Sequence, residues 1–251
     1  MRFPRFNANW SASVLGAMLC ALVTTGCGAP PESGAVPDRG SLVESQSQAL
    51  YVTADYLDVT QQLYVGYFGR PADPGGLWNM AEGFRNANAP YTAQGLDAAY
   101  SSNAAVKALV DSFGTSAESN ALYTGDTSSF VTAIYRNQLN RTPEPAGLAF
   151  WTNAINNGSL TRSRAALSIM AGALTNTTSQ GLIDRDTVET KVAVAMNFTF
   201  AIDTNAEFNA YQGNIAAAKA RSMLAQVTAT TDVTDFQWTV VATLDSIVAE
   251  H

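Results

Sequence analysis

Two short segments of the sequence bring together side chains that can do chemistry. Arg70 lies three residues before Asp73, and Arg141 lies three residues before Glu144. At this spacing around a turn, guanidinium and carboxylate groups can form local charge-assisted hydrogen bonds, which is the structural interpretation of both pairs. The functional alternative is that the two turns present planar arginine donors to an anionic or hydroxyl-rich glycan.

The two acids also raise the question of catalysis. A glycosidase needs two carboxyl groups facing each other across a cleft, and Asp73 and Glu144 are the pair that the pattern marks out. Each directly precedes a proline, where a residue caps the first turn of a helix, and capping already accounts for both. We therefore predict no catalytic residues and keep a carboxylate-dependent carbohydrate-active enzyme as an alternative.

Other reactive or metal-binding groups are scarce. The single histidine is the last residue, His251, so Ser-His-Asp, Cys-His and histidine-ligated metal sites lack their central group. Asp203, Asn205, Glu207 and Asn209 alternate like the first half of a calcium loop, but its glycine and terminal glutamate are missing. Capping of a helix by Asn205 is the better interpretation. We predict no metal and no cofactor, and the net charge of -7 argues against a nucleic-acid partner.

Aromatic residues cluster around both turns. They are Tyr64, Tyr67, Phe68, Trp78, Phe150 and Trp151. At helical spacing most aromatic side chains lie in a core, so burial is the favoured interpretation, whereas a sugar platform needs one exposed ring face. The candidate contacts for a glycan or a protein partner are Arg70, Asp73, Trp78, Arg141, Glu144 and Trp151.

The two turns belong to an internal repeat. Residues 60–77 align without a gap with residues 131–148 at a shift of 71. The identical pairs are Tyr64 and Tyr135, Arg70 and Arg141, Pro74 and Pro145, Gly76 and Gly147, and Leu77 and Leu148. Each copy predicts a helix, a short turn and a second helix. The glycine one step inside the second helix permits close approach of a neighbouring helix or of the tyrosine ring.

The hydrophobic pattern beyond the turns is helical throughout. From Leu50 onward apolar residues recur three or four apart, as on the buried face of a helix. The pattern predicts an all-α, multi-helix domain built around the two helix-turn-helix repeats, with a C-terminal helical extension. Helices are expected over 54–68, 74–87, 93–112, 128–139, 145–156, 161–174, 186–202, 206–226 and 232–249. Capping boxes are predicted at Asp186 with Glu189 and at Thr115 with Glu118.

The N-terminal segment has the composition of an export signal. Arg2 and Arg5 precede an apolar run over residues 14–23, and small residues lead from there to Cys27. The run is shorter than the roughly 20 residues that a membrane-spanning helix needs. The segment resembles a bacterial lipobox, which implies cleavage before Cys27 and attachment of lipid to it. Ordinary secretory cleavage that leaves a free thiol is the alternative.

These features predict three parts of the chain. Residues 1–26 are a lipoprotein signal peptide, and 27–49 are the lipidated cysteine and a flexible tether rich in Gly, Pro and Ser. Residues 50–251 form the all-α domain, with repeat copies near 54–113 and 128–183 and a C-terminal helical part over 184–251. Because Cys20 lies in the signal peptide, the mature chain is expected to form no disulfide.

The turn motif also resembles a known family. Tyr-x5-Arg-x2-(Asp/Glu)-Pro-x-Gly-Leu, followed in the second copy by Ala149, Phe150 and Trp151, is similar to the bacterial repeat family catalogued as domain of unknown function 4214, found in S-layer-like and RTX-type surface proteins. The resemblance extends over nearly all of residues 51–248. It implies an extracellular helical module with no established catalytic residues, which in some relatives holds the protein to cell-surface polysaccharide.

From the signal segment and the resemblance together, we expect a non-enzymatic lipoprotein anchored to the outer membrane or cell surface of a bacterium. Its expected role is attachment or assembly, with envelope polysaccharide or an S-layer-like protein as the partner. A purely structural surface spacer is the second alternative, and it predicts no concave surface lined by aromatic or arginine side chains.

Overall fold

The structure, a computed structural model, describes residues 52–251 of the chain. The predicted signal peptide, the tether and Cys27 lie outside the described residues. The described part contains helices and no strand, which confirms the all-α prediction. In chain order the helices are α1 (Leu57–Phe68), α2 (Pro74–Asn86), α3 (Ala93–Ala99), α4 (Ala104–Thr115), α5 (Ala117–Leu122), α6 (Thr127–Leu139), α7 (Pro145–Asn156), α8 (Arg162–Thr175), α9 (Ser179–Ala201), α10 (Asn205–Ala210), α11 (Gly213–Leu224) and α12 (Gln237–Ala249).

The two motif segments each form a helix, a turn and a helix. Gly69 ends α1 and Asn140 ends α6, both in the left-handed conformation, with φ of 65° and 53°. Glycine and asparagine are the residues that tolerate this helix-ending geometry best. Asp73 and Glu144 then stand at the N-cap positions of α2 and α7, each followed by proline at the first helical position. That the two units are copies of one repeat stays a prediction.

Two hydrophobic clusters form the core. The larger cluster contains residues of α1, α2, α3, α4, α6, α8 and the first part of α9. The second joins the last part of α9 with α10, α11 and α12, and it includes Val65 from α1. The C-terminal helices also bind the first turn directly, because the hydroxyl of Tyr211 donates to the carbonyl of Pro71 and that of Thr199 to the carbonyl of Ala72, each at 2.7 Å. The C-terminal part therefore packs on the first helix-turn-helix unit.

Several predicted helix boundaries are wrong. The expected helix over 93–112 is two helices, because Asn103 interrupts it and its side chain accepts from the amides of Ala105 and Val106 at the start of α4. The helix expected to begin at Asp186 begins seven residues earlier, at Ser179. Asp186 is thus inside α9, and no helix begins there for the predicted capping box to cap.

The C-terminal boundaries also differ. The helix expected over 206–226 divides into α10 and α11 at Gly213, which has a φ of 82° and takes this left-handed conformation readily because it has no Cβ. Thr204, and not Asn205, caps α10, in a capping box with Glu207. The last helix, expected from 232, begins at Gln237.

The remaining correction concerns the short helix α5, which the hydrophobic pattern did not predict. Ser116 caps it by accepting from the amide of Ser119, whereas Thr115 is the last residue of α4 and not a cap. Within residues 52–251, no helix combines the length and hydrophobicity required to cross a bilayer.

Candidate functional site

Arg70, in the first turn, is held by an acid far along the chain. Its Nε and Nη2 donate to the two carboxylate oxygens of Glu118 at 2.7 and 2.6 Å, and its Nη1 donates to the carbonyl of Pro71 at 2.9 Å. Arg221 donates to the same carboxylate at 3.2 Å. Burial lowers the pKa of Arg70, but the hydrogen bonds and charge of Glu118 outweigh burial, so the pKa is raised. Arg70 binds Glu118 rather than the predicted Asp73.

Arg141, in the second turn, is held in the same manner. Its Nε and Nη2 donate to Asp184 at 2.8 and 2.5 Å, and its Nη1 donates to the carbonyl of Thr142 at 3.2 Å. The predicted local pair is also present, because Nη1 donates to Glu144 at 2.9 Å. Hydrogen bonding to Asp184 is the largest cause of the raised pKa of Arg141.

Both arginines therefore brace the fold. Each joins its turn to a carboxylate that lies 48 or 43 residues later in the chain, and each guanidinium lies over a tyrosine of the preceding helix, Tyr64 or Tyr135. Only 14% of the Arg70 side chain and 22% of the Arg141 side chain are exposed. This geometry favours the structural interpretation of the two arginines over donation to a glycan.

The two N-cap acids have separate tasks. The Asp73 carboxylate accepts from the amide of Gly76 at 2.7 Å and caps α2. Glu144 makes no capping bond with its side chain and instead binds Arg141. Each carboxylate thus has its own partner at the start of a different helix.

The tyrosine of each unit lies against the glycine of the following helix. A Cβ at Gly76 would lie 2.3 Å from the Tyr64 hydroxyl oxygen, so any other residue there would force the tyrosine or the helix to shift. At Gly147 the corresponding distance to the Tyr135 hydroxyl is 3.5 Å, an ordinary contact. The predicted close approach of the tyrosine is therefore present in the first unit, whereas in the second unit the tyrosine makes only an ordinary contact.

The predicted tryptophans lie in different settings. Trp78, on α2, is about one-third exposed. Trp151, on α7, is half-buried against the larger core, and its indole N–H donates to the Tyr135 hydroxyl at 3.0 Å. Phe150 precedes it and is 63% exposed, with its ring edge-to-face with the indole at 4.9 Å. Of the predicted residues, Trp151 is the one that lines a surface groove together with an exposed aromatic ring.

This groove, which we call the α3–α7–α8 groove, has a volume of about 520 Å³, within the range of small-ligand sites. Phe150 and Trp151 form its aromatic wall, and Gly172 of α8 lies beside the indole. A Cβ at Gly172 would lie 3.8 Å from Cζ2 of Trp151. Because α7 has no fully buried residue, its aromatic side chains remain available at the surface.

The groove lining also has a polar part, here called the polar wall, which comes from α3 and α8. Arg164 of α8 donates from Nε to Oδ1 of Asp97 at 2.8 Å and from Nη2 to the carbonyl of Asp97 at 2.7 Å. The Ser168 hydroxyl donates to the same Oδ1 at 2.7 Å. The guanidinium of Arg164 also lies 4.9 Å from the centre of the Tyr100 ring. These contacts fix the ion pair in one orientation beside the aromatic wall.

Sequence reasoning did not find this polar wall. Asp97 and Arg164 are 67 residues apart and belong to no local motif. Phe150 was noted but was not among the candidate contacts. The local sequence gave no clear signal for its exposure, because adjacent aromatic residues on one helix can both be buried, as Tyr67 and Phe68 are on α1. Among the described residues there is also no cluster of three potential metal ligands.

Comparison with known proteins gives one match. Residues 110–174 match the family model described as Domain of unknown function (DUF4214). This segment, about a quarter of the chain, is similar to that family and runs from α4 to near the end of α8, so it includes the second turn, Trp151, Arg164 and Gly172. The surface-layer context of the family stays a prediction for this chain. No curated protein and no solved structure was matched.

Proposed function

We propose that the protein is a non-enzymatic cell-surface lipoprotein that attaches to an envelope polysaccharide through the α3–α7–α8 groove. One observation carries the proposal: the exposed ring of Phe150, the indole of Trp151 and the fixed pair of Asp97 and Arg164 line the same groove. Sugar rings offer apolar C–H faces and hydroxyl groups, so an aromatic wall and a polar wall fit their two kinds of surface.

Two further observations support the location and the class. The N-terminal sequence resembles a lipoprotein signal that ends at Cys27, and a lipid there would hold the folded part at a membrane surface. The similarity of residues 110–174 to the family includes the aromatic wall and Arg164. The proposed glycan contacts therefore lie in the groove and not at Arg70 and Arg141.

The enzyme alternative finds less support in the site. Asp73 and Glu144 start different helices, and each has its own partner. Asp97 is the one acid that lines the described groove, and it is already bound by Arg164 and Ser168. A two-carboxylate mechanism needs a second acid across the cleft, and this groove has none among its lining residues. Asp73 and Glu118 do line one pocket at the first turn, but there Asp73 caps α2 and Glu118 binds Arg70 and Arg221. Both settings favour binding without hydrolysis.

The decisive test uses a variant that fills the groove without weakening the fold. Gly172 is exposed, lies within α8 and has room for a Cβ. Gly172→Leu replaces a poor helix former with a good one and directs a bulky side chain toward the indole of Trp151. The matched control is Trp238→Ala, because Trp238 is 81% exposed on α12 and does not line the groove.

The full chain, purified in mild detergent, would be titrated by calorimetry with soluble polysaccharide extracted from the envelope of the producing bacterium. We expect saturable binding by the wild type and Trp238→Ala, and none by Gly172→Leu with an unchanged or higher Tm. Equal binding by Gly172→Leu would exclude the groove, and absence of binding by the wild type would overturn the proposed function.

The lipid anchor is tested separately. Cells that express the wild type or Cys27→Ser are labelled with a radioactive fatty acid and fractionated. The proposal expects label and membrane association in the wild type and loss of both in Cys27→Ser, because the substitution removes the thiol that carries the lipid. Label that persists without Cys27 would show that the lipid attaches elsewhere.

A further inference from the structure

We infer that the groove selects an uncharged polysaccharide, one in which a sugar ring offers two adjacent hydroxyl groups to Asp97 and Arg164. The inference rests on the proposed function and adds the chemical class of the ligand. Its basis is the set of polar atoms that the ion pair leaves free and the balance of charge in the groove.

The fixed ion pair leaves one donor and one acceptor free. The Oδ1 atom of Asp97 binds Arg164 and Ser168, whereas its Oδ2 atom has no hydrogen-bond partner among the described residues. In Arg164, Nε and Nη2 are bound to Asp97 and Nη1 has no partner in the same part of the chain. Both side chains are about one-quarter exposed, and neither of these two atoms is among the fully buried polar atoms without a partner.

The free acceptor and the free donor belong to two side chains that bind each other, so together they can serve two hydroxyl groups of one sugar ring. One hydroxyl donates to Oδ2 of Asp97, and the oxygen of the next accepts from Nη1 of Arg164. Because both protein groups are charged, these hydrogen bonds are stronger than those between neutral groups. The contacts among Arg164, Asp97, Ser168 and Tyr100 hold the two groups in place before the ligand arrives, which lowers the entropic cost of binding.

The charge of the groove favours a neutral ligand. Asp97 and Arg164 are the two charged residues that line it in the described chain, and their charges cancel. The whole chain carries a formal net charge of -7, which repels polyanions. An acidic polysaccharide would meet a guanidinium already paired with a carboxylate, whereas a neutral one needs only hydroxyl partners.

The experiment separates the extracted polysaccharide by anion exchange into neutral and acidic fractions. The full chain is titrated with each fraction in 50 and 300 mM salt. We expect binding to the neutral fraction with less than about a twofold change in affinity between the two salts, since salt screens charge–charge attraction and leaves neutral contacts almost unchanged. Periodate cleaves the bond between carbons that bear adjacent hydroxyls, so periodate treatment of the neutral fraction is expected to abolish binding.

Asp97→Asn tests the donor–acceptor pair. The amide keeps the size of the side chain but removes its charge and leaves Arg164 as an unpaired cation. We expect roughly tenfold weaker binding to the neutral fraction and a gain of salt-sensitive binding to the acidic fraction. Should Asp97→Asn fail to fold, Phe150→Ala at the exposed aromatic wall is the second variant, with weaker neutral binding expected and Trp238→Ala as its control.

The outcomes are distinguishable. Salt-sensitive binding of the wild type to the acidic fraction alone would overturn the inference and leave the proposed function standing. Binding of periodate-treated neutral polysaccharide at full affinity would likewise exclude recognition of adjacent hydroxyls. Failure of both fractions to bind would overturn the inference and the proposed function together.

Discussion

Lys191 is a buried cation whose replacement gives a quantitative prediction. Its side chain is 1% exposed on α9, and its Nζ donates to the carbonyl of Asn137 at 2.6 Å, near the end of α6. No carboxylate pairs with it among the described residues. Burial lowers the pKa of Lys191 to about 7 from its usual value near 10.5. At neutral pH the buried charge of Lys191 therefore lowers the free energy of unfolding.

The sign of the pH dependence follows from the two pKa values. Between pH 7 and about 10 the unfolded chain holds the lysine proton and the folded chain has lost it, so the free energy of unfolding rises with pH in this window. Each pH unit contributes at most about 1.4 kcal/mol. From pH 7.5 to pH 9.0, titration of Lys191 is expected to stabilise the wild type by about 2 kcal/mol.

Lys191→Met removes this titration and keeps a side chain of similar length. The free energy of unfolding of the wild type and the variant would be measured by urea denaturation at intervals from pH 7.5 to 9.0. Subtraction cancels the other titrations that the two proteins share. We expect Lys191→Met to be more stable than the wild type at pH 7.5, and its advantage to shrink by about 2 kcal/mol at pH 9.0.

The matched control is Lys107→Met, which replaces a half-exposed lysine on α4 that pairs with Asp111. The hydrogen bond to Asp111 raises the pKa of Lys107, so its charge persists throughout the window and the stability difference is expected to stay constant. A constant difference for Lys191→Met as well would refute the reasoning, because it would mean that Lys191 keeps its proton in the folded state.

Four further substitutions give contrasting pairs, all measurable by urea denaturation at pH 7. Gly76→Ala is expected to destabilise the fold by about 1–3 kcal/mol, because the new Cβ overlaps the Tyr64 hydroxyl. Gly147→Ala is expected to be neutral or to stabilise the fold by up to about 1 kcal/mol, because the helix has room for the Cβ. Equal effects would contradict the different Cβ-to-hydroxyl distances at the two glycines. Asp184→Asn is expected to cost about 3 kcal/mol because the Asp184 side chain is 3% exposed and its removal leaves Arg141 without its main partner. Glu144→Gln, at an exposed partner of the same arginine, is expected to cost less than about 1 kcal/mol. If Glu144→Gln cost more than Asp184→Asn, Asp184 would not be the main partner that holds Arg141.

The local features of the fold were predictable because their causes are local. Proline after an acidic residue marked the starts of α2 and α7, and the glycine of each motif indicated close contact with a tyrosine. Apolar periodicity does not predict the break between α3 and α4, because the periodicity continues across the Ser-Ser-Asn run that ends at Asn103. The hydrogen bonds that the Asn103 side chain accepts at the start of α4 determine the boundary.

The partners of the motif residues were not predictable, because tertiary packing chooses them. Glu118 and Asp184 lie 48 and 43 residues from the arginines that they bind, and nothing in the local sequence of either acid indicates that partner. The groove has the same origin, since α3 supplies Asp97 and α8 supplies Arg164. The sequence indicated most of the helical segments, but it missed α5 and two helix breaks and did not indicate which distant surfaces meet.

The contact between the C-terminal helices and the first turn has a consequence for the order of assembly. Thr199 and Tyr211 hydrogen-bond carbonyls that precede them by 127 and 140 residues. The buried carbonyls of the first turn therefore cannot form these hydrogen bonds until the chain has been synthesised as far as Thr199 and Tyr211. Contacts of such long sequence separation slow folding. Truncation before Tyr211 removes a hydrogen-bond partner from the first unit as well as α11 and α12 themselves.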